Sequence, residues 1–212
     1  MGIVFGRTGV NEPAFTILSK HSPSSHAAFE VRSYAQRFAI ETAISSENSG
    51  FRELAGFIGV GTMPKNEGGT AISMTAPVAT KGGTAISMTA PVSTSSNKDG
   101  SKVMNFVLPV EYDSIEKIPK PTSEKVRVVP VPAAVGAVTA FSGWVKPTTA
   151  EEKKEELLAA LKASDVTVEE PIEWELWQFN PPFTIPTLRR NEVWVKLTKE
   201  QAAVLEAKGE KI

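Results

Sequence analysis

The side chains that usually carry catalysis are few in this sequence, and their spacing does not suit it. The chain has no cysteine, which excludes thiol nucleophiles, disulfides, zinc–thiolate sites and iron–sulfur clusters. Its two histidines, His21 and His26, fall in a Ser- and Pro-rich stretch and are expected to be solvated loop residues. No Gly-x-Ser-x-Gly elbow, His-x-x-x-His pair or phosphate-binding glycine loop is present. The sequence therefore favours a binding protein over an enzyme.

One apolar segment that can hold a ligand is a predicted helix. Phe51, Leu54, Ala55 and Ile58 recur at i, i+3, i+4 and i+7, a spacing that places them on one helical face. The alternative is that this face packs on a sheet as ordinary core. Gly56 interrupts the helix and indicates either close packing or a weak point.

A second apolar segment is the loop at 180–188. It carries Phe183, Ile185 and Leu188 among three prolines, and a loop seldom carries so much apolar surface unless it covers something. The alternative is that the loop only caps the core. Arg189 and Arg190 follow directly and either pair with an acidic group of a ligand or lie on plain surface.

Several strands and three helices would position these segments. Period-two alternation predicts strands at 14–18, 29–34, 38–44, 103–108, 126–131, 135–141, 174–179 and 192–197. Helices are predicted at 51–58, at 148–163 with a capping box of Thr149 and Glu152, and in the tail at 198–208. Each half then has one helix among antiparallel strands. This pattern predicts an α+β domain with a pseudo-twofold repeat, its sheet curled into a distorted barrel.

A tandem repeat lies at the centre of the chain. GGTAISMTAPVATK at 68–81 is followed by GGTAISMTAPVSTS at 82–95, with twelve of fourteen positions identical. Each copy is long enough for one strand and a turn, so the repeat predicts a β-hairpin with Met74 and Met88 in the core. Pro77 and Pro91 lack a ladder N–H, which predicts that each copy lies at a sheet edge or leaves the sheet at its proline.

Length and charge limit the class of protein. The 212 residues suggest a single domain, and a formal net charge of −1 without a basic block argues against nucleic acid as a partner. No apolar run reaches the 18 residues of a membrane span, and the N-terminus does not resemble a signal peptide. The expected location is cytoplasmic, or a plastid if a transit peptide has been removed.

Six segments together resemble the SOUL haem-binding protein family, particularly its plant and algal members. The segments are Phe29-Glu-Val-Arg-Ser-Tyr34, both copies of Ile-Ser-Met-Thr-Ala-Pro-Val, Met104-Asn-Phe-Val-Leu-Pro109, Phe141-Ser-Gly-Trp144, Phe179-Asn-Pro-Pro-Phe183 and Arg189-Arg-Asn-Glu-Val-Trp194. The resemblance implies a distorted antiparallel β-barrel flanked by two helices, similar to bacterial effector-binding domains. It also implies an N-terminal extension at 1–28, the haem-binding domain at 29–197 and a tail at 198–212.

The resemblance further implies noncovalent binding of haem or another porphyrin in a groove between the first helix and the loop before the last strand. Phe179 joins the loop residues of that groove, and Arg52, Arg189 and Arg190 are the cations available to two propionates. The metal ligand stays unassigned. Carrier, buffer or sensor is the expected role, with a protein partner in haem metabolism or signalling. The alternatives are an enzyme that degrades haem or removes its metal, and an effector-binding module for other small molecules.

Overall fold

A computed structural model of the chain contains ten β-strands and three α-helices in the residues that it describes. The structure describes residues 12–43, 47–59, 62–73, 78–81, 93–96, 102–180 and 184–210. The strands are β1 (Phe15–His21), β2 (Phe29–Tyr34), β3 (Arg37–Ala43), β4 (Val78–Lys81), β5 (Ser93–Ser96), β6 (Lys102–Val107), β7 (Val126–Val131), β8 (Ala134–Phe141), β9 (Trp174–Gln178) and β10 (Asn191–Leu197). The helices are α1 (Glu47–Ile58), α2 (Pro147–Ala163) and α3 (Lys199–Lys208).

The strands pair into two antiparallel sheets. The larger sheet has the order β1-β2-β8-β10-β9-β4, and the smaller has the order β5-β6-β3-β7. The two sheets share an arrangement. In the larger sheet, β8, β10 and β9 from the second half of the chain lie next to β2 from the first half. In the smaller sheet, β3, β6 and β5 from the first half lie next to β7 from the second half. The α+β class is confirmed. The expected closed barrel is not found among the described residues, because both sheets end in edge strands instead of joining.

The repeat contributes one strand to each sheet. β4, from the first copy, pairs with β9, and β5, at the end of the second copy, pairs with β6. The hairpin prediction required the two copies to pair with each other. The described strands of the repeat pair instead with different partners, in different sheets. Among the described strands, each lies at the edge of its sheet, which agrees with one of the two arrangements predicted from the prolines. Met74, Met88, Pro77 and Pro91 lie outside the described residues.

Each sheet packs one face against helices. Helix α1 lies on β3, β6 and β7, whereas α2 contacts β8 and β10, and α3 contacts β1, β2 and β8. In the larger sheet, alternate residues divide between two faces: Val31, Ala137, Val193 and Val195 pack in the core that includes residues of α2 and α3. The opposite face carries a separate cluster of Tyr34, Val138, Trp177, Phe179 and Trp194. Among the described residues, no helix is both long and apolar enough to cross a bilayer.

The start of α2 differs from its prediction. Helix α2 begins at Pro147, with Lys146 as N-cap and no side-chain cap, so Thr149 lies inside the helix and the predicted capping box is wrong. Proline at the first helical position needs no N–H partner, which favours this earlier start. A capping box is present at α3: Thr198 Oγ1 accepts from Gln201 N–H, and the Gln201 side chain accepts from Thr198 N–H.

The first strand lies within the segment that was expected to be an extension. β1 pairs with β2 along its length, so the sheet begins before residue 29. His21 ends this strand and is buried, which corrects its assignment as a solvated loop residue. Its ring stacks on Phe29 with centroids 4.6 Å apart and hydrogen-bonds Ser19 Oγ at 3.0 Å, and burial lowers the pKa of His21. His26 lies exposed in the β1–β2 loop, as predicted.

Gly56 in α1 is a weak point and not a close contact with the core. A Cβ at this position would meet first the flexible Lys65 side chain, 3.3 Å from its Cδ. We expect Gly56→Ala to raise the free energy of unfolding by about 0.5–1 kcal/mol, because alanine loses less backbone entropy in a helix. Urea unfolding measures this. As a matched control, Gly59→Ala should destabilise, since Gly59 has φ +86° and its Cβ would lie 2.6 Å from Pro64; a destabilised Gly56→Ala would contradict the prediction.

Candidate ligand-binding site

Two loops meet at one end of the larger sheet. β8 ends at Phe141, which pairs with Asn191 at the start of β10, so the segment after β8 and the segment before β10 leave the sheet together. Hydrogen bonds hold them: Gly143 N–H donates to the Pro186 carbonyl oxygen at 2.9 Å, and Asn191 Nδ2 donates to the Gly143 carbonyl oxygen at 3.2 Å. The loops at 142–146 and 184–190 therefore form one surface.

We call this surface the loop surface, and it exposes three large apolar side chains. Trp144 is 58% exposed, Ile185 39% and Leu188 44%. The Arg189 guanidinium lies over the Trp144 ring at 3.6 Å from its centroid, and Arg189 Nε donates to the Thr184 carbonyl oxygen at 3.0 Å. Burial of Arg189 lowers its pKa. An apolar surface with a cation fixed beside its indole can bind a flat, partly acidic ligand.

Arg190, the second predicted cation, is already paired. Its guanidinium donates to Glu192 Oε1 at 2.9 and 2.7 Å and to both Glu12 carboxylate oxygens at 3.0 Å. Glu192 is fully buried and also accepts from Arg32 Nη1 at 2.9 Å, while Arg32 binds Glu30 at 2.8 Å. Burial opposes the charge on Arg32, but attraction to Glu192 outweighs it and raises the pKa of Arg32. Two arginines and three carboxylates thus form one ionic network beside the loop surface.

The residues predicted on α1 lie elsewhere. Leu54, Ala55 and Ile58 are buried, and Leu54 and Ile58 pack in the core of the smaller sheet with Phe38 and Phe106. Leu54 and Ile58 therefore pack on a sheet as ordinary core, which is the alternative given in the sequence analysis. Arg52 is exposed on the same helix. The structure does not describe the Phe51 side chain.

The predicted loop residues are brought together in part. The loop surface includes Ile185 and Leu188, and Arg189 is the cation beside it. Phe179 is buried in the aromatic cluster, with the Arg190 guanidinium 4.0 Å from its ring centroid. Phe183 lies outside the described residues. The structure thus gathers the loop part of the predicted groove.

Sequence reasoning missed Trp144, which is the most exposed member of the loop surface. Its signal was available: a tryptophan after Ser-Gly at the end of a strand lies in a turn, where its ring cannot be fully covered. Sequence reasoning also missed Arg37 and the tryptophans of β9 and β10, which line a cleft of ≈370 Å³ between the two sheets.

Among the described residues, no group of three or more His, Asp or Glu side chains is placed to hold a metal ion.

Comparison with known protein families gives a match that spans most of the chain. The family model described as SOUL heme-binding protein matches residues 10–196. No curated protein sequence matches significantly.

Three solved structures show weaker likeness. SAV2435 bound to tetraphenylphosphonium is 13% identical with a TM-score of 0.41, over 82% of this chain and 95% of that one. A protein described as a bacterial transcription regulator, from Staphylococcus aureus MU50, is 14% identical with a TM-score of 0.38, over 79% and 96% of the two chains. EcmrR in a DNA complex is 10% identical with a TM-score of 0.48, over 80% and 57%. The family match is therefore the comparison that bears on function.

Proposed function

The chain belongs to the SOUL heme-binding protein family, and from that premise we propose that it binds haem or another porphyrin noncovalently on the loop surface. In this proposal the protein acts as a haem carrier, buffer or sensor. The proposal concerns binding alone, and the described residues offer no paired acid and base at the loop surface that would point to catalysis.

The observation that carries the proposal is the exposure of Trp144, Ile185 and Leu188 on two loops that are hydrogen-bonded to each other. Exposed apolar side chains grouped in this way mark interaction sites more often than chance exposure does. A flat macrocycle laid over them would gain roughly 25 cal/mol for each Å² of apolar surface removed from water. A planar ring can also stack on the Trp144 indole.

The cations beside the surface suit the acidic side groups of a porphyrin. Arg189 covers one face of the Trp144 indole, so a macrocycle would stack on the other face, or would take the place of the guanidinium and leave it free to pair with a propionate. Arg190 would have to exchange Glu12 for a propionate, a change that leaves its bonds to Glu192 in place. The predicted contribution of α1 stays a prediction: Leu54 and Ile58 lie in the core, so a macrocycle reaches them only if α1 separates from the smaller sheet.

We predict that Ile185→Asp combined with Leu188→Asp weakens hemin binding at least tenfold. Both side chains are exposed, so the fold should tolerate the change, whereas the apolar contact of about 1.5–3 kcal/mol for each covered side chain would be lost. Hemin is titrated into micromolar protein, and the shift of the Soret band is followed to saturation.

The matched control is Ile115→Asp, which places the same charge on an exposed isoleucine of the β6–β7 connection. It should leave the hemin titration unchanged. Absence of a saturable Soret shift in the wild-type protein would contradict the proposed function. Equal affinity in the wild type and the double variant would contradict the placement of the ligand.

A further inference from the structure

A cleft separate from the loop surface lies where the two sheets exchange strands. Its wall includes the β7–β8 turn at 131–134, which passes from the smaller to the larger sheet, and Arg37, which begins β3 just after β2 ends. Trp177 and Trp194 complete it together with Trp174, whose ring packs in the core on the other face of the larger sheet, and its volume is ≈370 Å³. That volume falls within the range of small-molecule pockets, about 300–1,000 Å³.

Arg37 is partly exposed, and it differs from the two buried arginines, Arg32 and Arg189, in the part of the chain that the structure describes. Arg32 donates to Glu30 and Glu192, and Arg189 donates to Thr184. The Nε and Nη1 atoms of Arg37 are buried and have no hydrogen-bond acceptor, and the guanidinium lies 5.3 Å from the Tyr34 ring centroid. Both atoms have almost no exposed surface, so an acid group in the cleft would reach the guanidinium through Nη2, which is not among the buried donors without a partner. A nearby anion would favour this partly desolvated cation.

The carboxylates that face the cleft do not fill this need. Glu175 attracts Arg37 through space, which raises the pKa of Arg37, but burial has the larger effect and lowers that pKa. The Glu175 carboxylate accepts from Trp177 Nε1 at 2.7 Å, and Glu173 accepts from Lys196 Nζ at 2.9 Å. Both carboxylates therefore have other donors, and the buried donors beside the cleft that lack an acceptor are Nε and Nη1 of Arg37 and Nε1 of Trp194.

The walls of the cleft indicate the rest of the ligand. The Trp177 and Trp194 rings are nearly parallel, at 7° with centroids 6.2 Å apart, and Trp177 meets Tyr34 edge-on. Aromatic walls of this kind favour a flat aromatic ring in offset or edge contact. A carboxylate is the acceptor that an arginine binds most strongly.

We propose that this cleft binds a small aromatic carboxylate, whose acid group pairs with Arg37 while its ring packs against Trp177 and Trp194. The site is independent of porphyrin binding at the loop surface. It uses a different end of the larger sheet and a different cation, and it is small enough to select a fused ring system of two rings over a macrocycle.

Isothermal titration calorimetry with 2-naphthoate tests the proposal. We expect saturable binding, with 2-naphthamide, the uncharged analogue, and cyclohexanecarboxylate, the non-aromatic acid, each at least tenfold weaker. Arg37→Met should weaken 2-naphthoate about tenfold to a hundredfold, the range for losing a charged hydrogen bond. Arg127→Met is the matched control, because Arg127 is exposed on the smaller sheet and pairs with Glu41.

Two further measurements keep the outcomes distinct. Arg37→Met should melt no lower than the wild type, since the arginine it replaces has two nitrogens without acceptors. Ala133→Trp, at an exposed turn position on the cleft wall, should block 2-naphthoate without touching Arg37. Binding of 2-naphthamide as tight as that of 2-naphthoate, or unchanged binding in either variant, would overturn the proposal. Ile185→Asp/Leu188→Asp should still bind 2-naphthoate, so failure of the porphyrin proposal is a separate result.

Discussion

Replacing Glu192 by glutamine should lower the free energy of unfolding by about 3 kcal/mol, although the change adds no volume. Glu192 is fully buried in β10 and accepts from Arg32 and Arg190 at the same time. Glutamine would leave both guanidinium groups facing a neutral amide away from water. The expected loss is at the lower end of the range for breaking a buried ion pair, because Glu30 still binds Arg32 and Glu12 still binds Arg190.

Two comparisons separate the buried pair from charge in general. Glu173→Gln removes an exposed carboxylate from its pair with Lys196 and should cost no more than about 0.5 kcal/mol. Arg32→Met combined with Glu192→Leu removes both buried charges, and we expect it to cost less than Glu192→Gln alone. Urea unfolding with a tryptophan fluorescence signal gives all three values. A loss below about 1 kcal/mol for Glu192→Gln would show that the network contributes little to stability.

The elements of this fold could be predicted because their signals are local. Alternation over 126–131 and 135–141 predicted β7 and β8 within one residue, and the period of Leu157, Leu158 and Leu161 predicted α2. The prolines of the repeat predicted edge strands or departure from the sheet, and β4 and β5 are edge strands among those described. Each of these signals depends only on residues within one element.

The sheet membership could not be predicted, because it depends on contacts between distant residues. Two nearly identical copies of a segment offer no reason to expect that β4 and β5 would pair in different sheets. The same limit applies to the ionic network: Arg189, Arg190 and Glu192 resemble a charged surface in sequence, and only the fold places Arg32 against Glu192. Arg37 carries no signal of its own, since its lack of an acceptor is a property of the folded cleft.

We expect Gly136→Ala to be the most damaging addition of a single methyl group to the larger sheet, with a loss of about 3 kcal/mol. A Cβ on Gly136 would lie 2.2 Å from both Cε2 and Nε1 of Trp194. The strand register explains the contact: Trp194 pairs with Val138, so its indole reaches diagonally across Gly136 two residues away on the same face. Neither side can retreat easily, since β8 is hydrogen-bonded between β2 and β10 and the indole is buried.

A second substitution should repair the first if it removes the ring atoms that clash, and leucine ends at Cδ and has none of them. Trp194→Leu removes Nε1 and Cε2, and that nitrogen has no hydrogen-bond acceptor in the described structure, so no bond is lost with it. We expect Trp194→Leu alone to cost about 3 kcal/mol through lost packing. The double variant should then be more stable than the sum of the two single changes predicts, by about 1 kcal/mol or more in a double-mutant cycle. Additive losses would mean that Gly136 is needed for its backbone freedom and not for the space that the indole occupies.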